Sequence, residues 1–133
     1  MRTDELIASI AATLRTDIAP AVGEEFARTQ AFMAAVVLER VAREVALGPA
    51  NAEAESTDAA ELHRALRPVL ENAPPSVNAA LDELGQAVDL AATAPLIDAL
   101  YEWGTDQPAA IEALGLLRPY LRRDIDRRMK VAT

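Results

Sequence analysis

The chain has 133 residues, 51% of them apolar, with 29 alanines and only five aromatic side chains. That is length for one domain, read as residues 1–133, and a bias that favours helices over sheets. With no cysteine and one histidine, disulfides, thiolate nucleophiles, iron–sulfur clusters and Cys-ligated zinc are excluded, and little remains for proton transfer.

The formal charge of −8 is uneven, at −12 before Arg118 and +4 from Arg118 onward. Glu71 to Glu112 carries eight acids and no Lys or Arg, so that stretch repels phosphate and no nucleic-acid partner is expected. The apolar residues behind Met1-Arg2-Thr3-Asp4-Glu5 are interrupted too often for a signal peptide. No apolar run approaches membrane-spanning length. A cytoplasmic protein without a membrane partner is the expectation.

Thr3 can cap a first helix, Asp4 to Ile18, whose Leu6, Ile7, Ile10, Leu14 and Ile18 recur at helical spacing. Ala19-Pro20 marks a break. A long second helix is predicted from Pro20 or Glu24 to Leu47, with Gly48 as C-cap and Pro49 blocking continuation. Its apolar positions Phe26, Met33, Val37 and Val41, widened by Phe32, Val36 and Val45, suit a central helix with several neighbours. Glu39/Arg43 and Arg40/Glu44 have i,i+4 spacing for a solvated face.

Ala50 to Thr57 is small, polar and acidic, and reads as a loop. Asp58 with Glu61 has the spacing of a capping box for a third helix carrying Leu62, Ala65, Leu66, Val69 and Leu70 inward, kinked or ended at Pro68. Asn72-Ala73-Pro74-Pro75 stops it. Ser76 can cap a fourth helix with Leu81, Leu84 and Val88 as its face. Thr93-Ala94-Pro95 opens a fifth, with Leu96, Ile97, Leu100 and Trp103, closed by Gly104. Thr105 or Asp106 caps a sixth, whose stripe is Ile111, Leu114, Leu117, Leu121, Ile125 and Met129, with a bend at Pro119. Six helices with short connections give an all-α single-domain bundle with a long central second helix. Leu-Arg-Pro-x-Leu occurs at Leu66–Leu70 and at Leu117–Leu121, without matching flanks.

A triad would need Ser9, Ser56 or Ser76 beside His63, and these fit better as loop, cap and boundary residues. A carboxylate-bridged dimetal site needs Glu-x-x-His, and position 60 is Ala. The densest acids, Asp82/Glu83 with Asp89 and Glu24/Glu25, match no metal loop. The glycines are too isolated for a phosphate cradle. No catalytic residue, metal or cofactor is therefore assigned. The basic segment Arg118, Arg122, Arg123, Arg127, Arg128 and Lys130 complements either the acidic fourth and fifth helices or a partner. With Trp103, its arginines are the interface candidates. Phe26, Met33, Tyr101 and Tyr120 are the pocket candidates.

Leu6-Ile7-Ala8-Ser9-Ile10 leading to Leu14-Arg15-Thr16-Asp17-Ile18-Ala19-Pro20, Arg43 to Pro49, and Arg122-Arg123-Asp124-Ile125 resemble an uncharacterised small all-helical bacterial family. Its members are encoded near aminoglycoside-phosphotransferase-like kinases and acyl-CoA dehydrogenases. The stretch from Ala50 to Gln107 is unmatched, and Arg127-Arg128-Met129-Lys130 departs from the family's Lys-Leu-containing ending. The resemblance implies an accessory role near such enzymes and carries over no catalytic residue. The expected function is a non-enzymatic helical accessory or protein-interaction domain, self-associating as a homodimer. The alternative is a bundle binding a small apolar, acyl-type ligand.

Overall fold

A computed structural model describes residues 1–133 and is all-helical. It holds five α-helices: α1 (Thr3–Thr13), α2 (Glu25–Val69), α3 (Pro75–Gln86), α4 (Thr93–Trp103) and α5 (Pro108–Ala132). There are two compact units, one of Met1–Pro49 with Met129–Thr133 and one of Ala50–Arg128.

The first unit is a helical hairpin. Thr3 is the first residue of α1 rather than its cap. The Arg2 backbone N–H donates to Glu5 Oε2 at 3.0 Å and closes the N-terminus. Proline at position 20 has no N–H and its ring crowds the carbonyl four residues back. The helix accordingly loosens ahead of it into a π-turn at Leu14–Ile18, with Ala19 N–H donating to Leu14, and then tightens into a 3₁₀ turn at Ala19–Ala21. After the reversal, the Glu24 carboxylate accepts from Phe26 N–H at 2.9 Å and Ala27 N–H at 2.7 Å. An anion at a helix N-terminus fills orphan donors and meets the positive end of the dipole.

The expected end of the second helix at Leu47 and the loop at Ala50 to Thr57 are both overturned, because α2 runs unbroken for 45 residues through Gly48-Pro49. The count therefore falls from six helices to five. Gly48 does not take the left-handed conformation of a cap, since Gly104 is the only residue at positive φ. Pro49 removes one hydrogen bond and crowds the carbonyl of Val45. Downstream, Ala50, Ala52, Glu53, Ala54 and Glu55 are strong helix formers, so propagation resumes at once. The two breakers sit at the end of the first unit's sequence rather than at a helix end.

The second unit has one core. Leu62 and Leu66 of α2 and Leu70 just past its end share this core with Val77, Leu81 and Leu84 of α3, Leu90 of a short 3₁₀ turn, Leu96 and Leu100 of α4, and Ala110, Ala113 and Leu117 of α5. Pro74 and Pro75, rather than Ser76, occupy the cap and first turn of α3. That helix stops at Gln86, which leaves Val88 exposed instead of on its inner face. Asp89 caps the 3₁₀ turn through Ala91 N–H, Gly104 ends α4 at φ 129°, and α5 begins at Pro108. In both Leu-Arg-Pro-x-Leu segments the leading leucine is fully buried while Arg and Pro stay outside. A proline on the outer face spares the core, and α5 passes through Pro119.

An alanine at position 48 would meet nothing within 4 Å. In a continuous helix Gly48→Ala gains about 0.5–1 kcal/mol of unfolding free energy, whereas at a left-handed cap it would lose about as much. Urea denaturation of the two chains measures the sign.

Candidate functional site

Two places concentrate unusual chemistry, one in each unit. In the hairpin the fully buried residues are small: Ala11 and Ala19 on the first arm and Ala35 on α2, with Ala42 nearly so. The large apolar side chains expected to face inward are largely outside. Leu6, Ile10 and Ile18 of the first arm and Phe26, Met33, Val36, Val37 and Val45 of α2 are exposed, Phe26 at 69% and Val37 at 58%. Ile7, Leu14, Leu38 and Val41 are half-buried.

At 100° per residue, these positions sort into edges. On one side of the alanine seam lie Asp4, Glu5, Ala8, Glu39, Arg43 and Ala46, which line a shallow groove. Arg15 crosses the seam there, donating to Glu39 at 2.8 and 3.0 Å. Glu39 therefore pairs with Arg15 rather than with Arg43, which instead donates to the Val131 carbonyl at 2.8 Å. Arg40/Glu44 forms as spaced, at 3.2 Å. On the opposite side lie Leu6, Ile10 and Leu14 of the first arm and Ala27, Ala34, Leu38, Val41 and Val45 of α2. That edge carries no charge on α2 from Ala27 to Val45. Of the pocket candidates, Phe26 and Met33 sit on the back of α2, in the first unit and exposed to solvent.

In the second unit, Asp58 is not a cap. It lies inside α2, only 8% exposed. Its Oδ1 accepts from Arg123 Nη2 at 3.1 Å and its Oδ2 from Arg127 Nη1 at 3.0 Å. Arg123 and Arg127 are one helical turn apart on α5 and reach the same carboxylate. Arg127 Nη2 is buried and faces Asp124 Oδ1 at 3.6 Å, an ion pair too long to be a hydrogen bond. Arg128 donates to Asp124 at 2.9 Å and lies 4.0 Å from Glu55. The Arg123 guanidinium lies 4.4 Å from the centre of the Tyr120 ring. Its hydrogen bond to Asp58 holds its pKa above the ordinary arginine value, with partial removal from water opposing and the Asp58 charge reinforcing.

The acids that answer the basic helix are thus Asp58 and Glu55 of α2 and Asp124 of α5 itself, not the acidic α3 and α4. Arg123, Arg127 and Arg128 are engaged within the chain, although Arg127 Nη2 makes no hydrogen bond. Arg118 and Arg122 differ: both are exposed and line an apolar groove with Ile97 and Tyr101 of α4 and Leu114, Leu117, Leu121 and Ile125 of α5. This groove arises because Ala110, Ala113 and Leu117 face the core, which turns the predicted stripe partly outward; Ile111 and Ile125 are exposed. Trp103 and Tyr120 are half-buried against the core.

The residues weighed for catalysis are engaged elsewhere. Ser56 lies within α2. The His63 imidazole packs on Gly85 of α3, where a Cβ would come within 2.7 Å of Nε2. Glu24 and Asp89 cap helices. No helix is long and apolar enough to cross a membrane. No protein-family model, curated protein or solved structure matches the chain.

Removing the carboxylate leaves two guanidiniums unanswered beside the core. Asp58→Ala is expected to cost about 2 kcal/mol, the low side for a buried pair because the Arg123 side chain is half exposed. Arg128→Ala, at a side chain 72% exposed, costs under about 0.5 kcal/mol. Equilibrium unfolding of both variants measures the ratio.

Proposed function

We propose that the protein is a non-enzymatic helical accessory domain that self-associates through the uncharged edge of its hairpin. The supporting observation is the division of labour in that hairpin: alanines are its fully buried residues, while on the edge Leu6, Ile10 and Val45 are exposed and Leu14, Leu38 and Val41 only half-buried. Exposed apolar surface on this scale marks an interaction site.

A second copy of the same chain is the occupant that fits. Joining two copies across a two-fold axis demands a self-complementary patch. Burying charged side chains against a copy costs desolvation, and the Ala27-to-Val45 edge of α2 carries none. Two hairpins meeting edge to edge form a four-helix bundle. The edge is about 27 Å long at 1.5 Å per residue and two helices wide, so a pair of copies buries roughly 1,000 Å², the threshold of a specific interface. Resemblance to the bacterial family adds a setting, an enzyme of acyl-CoA or phosphotransferase metabolism that the assembled domain serves.

The assembly is expected to be a dimer by sedimentation velocity. Ile10→Glu with Val45→Glu introduces charge on both arms of the edge and weakens association at least tenfold, with the circular dichroism spectrum retained. Arg122→Glu leaves the mass unchanged. A wild-type monomer at all concentrations, or association that survives the edge substitutions, contradicts the reading.

A further inference from the structure

The groove between α4 and α5 lies in a unit that does not include the hairpin. Its floor is Ile97, Leu114, Leu117, Leu121 and Ile125, and Arg118 and Arg122 stand at its rim. We infer that it binds a single long-chain carboxylate, the alkyl chain along α5 and the carboxylate on the two guanidiniums.

Size, charge and head-group shape carry this assignment. The groove encloses about 480 Å³, within the range of small-ligand sites. Leu114 to Ile125 spans about 16 Å of helix at 1.5 Å per residue, the reach of an extended medium-to-long alkyl chain. A single alkyl chain fits that length and volume.

At the rim, Arg118 and Arg122 are separated by one helical turn, so their guanidiniums reach a common anion. The other arginines on this stretch already have carboxylate partners in Asp58 and Asp124. Neither Arg118 nor Arg122 takes part in an ion pair within the chain. Leaving two cations beside an apolar channel, in a strongly acidic protein, suits an amphiphile whose head is negative. Guanidinium recognises a planar carboxylate through paired charge-assisted hydrogen bonds.

On the far side of the two arginines lies a second depression of about 360 Å³, lined by Gly115, Pro119, Arg123 and Asp126. Asp126 there disfavours a bulky polyanionic head, and Arg123 is committed to Asp58. A single compact carboxylate fits better than an extended phosphate ester.

Isothermal titration of the full chain with dodecanoate, held below its micelle threshold, tests the inference. Saturable binding of one molecule per chain is expected. Arg118→Gln with Arg122→Gln weakens it at least tenfold, and Ile125→Asp, at an exposed position, weakens it comparably by placing a carboxylate beside the chain. Dodecyltrimethylammonium, with the same tail and opposite head charge, binds at least tenfold less well. Circular dichroism checks that each variant remains folded. Absence of saturable heat, equal affinity for the cationic amphiphile, or affinity indifferent to the arginine substitutions overturns the assignment. Because the probe reads the α4–α5 groove and sedimentation reads the hairpin edge, the two proposals fail separately.

Discussion

The first unit is constrained by what its two arms bury against each other, which is alanine. A buried methyl group gives a fraction of the hydrophobic stabilisation of a leucine, on the order of 1 kcal/mol against 2–3. Ordering each residue of the hairpin costs about as much again. Small residues let the arms approach closely, but the seam between them contributes little burial. Leu6, Ile10 and Val45 are exposed, and Leu14, Leu38 and Val41 are only half-buried. The proposed self-association would answer that imbalance, with a second copy supplying apolar surface that the alanine seam does not.

The second unit has the opposite economy. Leu62, Leu66 and Leu70 repeat every four residues along α2 and just past its end, and share one core with large side chains of α3, α4 and α5. Asp58 continues the same spacing one turn earlier, where the core gives way to the Arg123–Arg127 clamp. A buried carboxylate with both oxygens occupied adds geometric definition more than net stability. It also sets which arginines stay available. Arg118 and Arg122 lie nearer the N-terminus of α5 than the clamp and open onto the apolar groove.

Helices and stops that depended on local chemistry were legible in the sequence. Pro74-Pro75 opens α3 and Gly104 ends α4 where the sequence marks them, through proline's fixed φ and glycine's positive φ. Gly48-Pro49 carries the same local signal, yet the helix continues, since a cost of a few kcal/mol is spread across strong helix formers on either side. Asp58 and Glu61 show the limit of spacing arguments: three residues apart defines a capping box and equally one face of a helix. The basic cluster at the C-terminus was visible as charge, but its division into clamped and free arginines depends on Asp58, 65 and 69 residues away in sequence from Arg123 and Arg127. The stripe on α5 was visible as periodicity. Its partial exposure was not, because Ala110 and Ala113 take the inward positions that Ile111 and Leu114 would have been expected to fill.

The central claim is that the uncharged edge of the hairpin meets its copy. The chain has no native cysteine, so a single spin label can be placed at will. A nitroxide on Ala34→Cys, at the middle of the edge, reports whether two such edges adjoin, and one on the exposed Thr29→Cys, on the opposite face of α2 in the same hairpin, serves as reference. Double electron–electron resonance should give a short, narrow intermolecular distance for position 34 and a longer one for position 29. No intermolecular coupling at position 34, or a shorter distance at position 29, would contradict it.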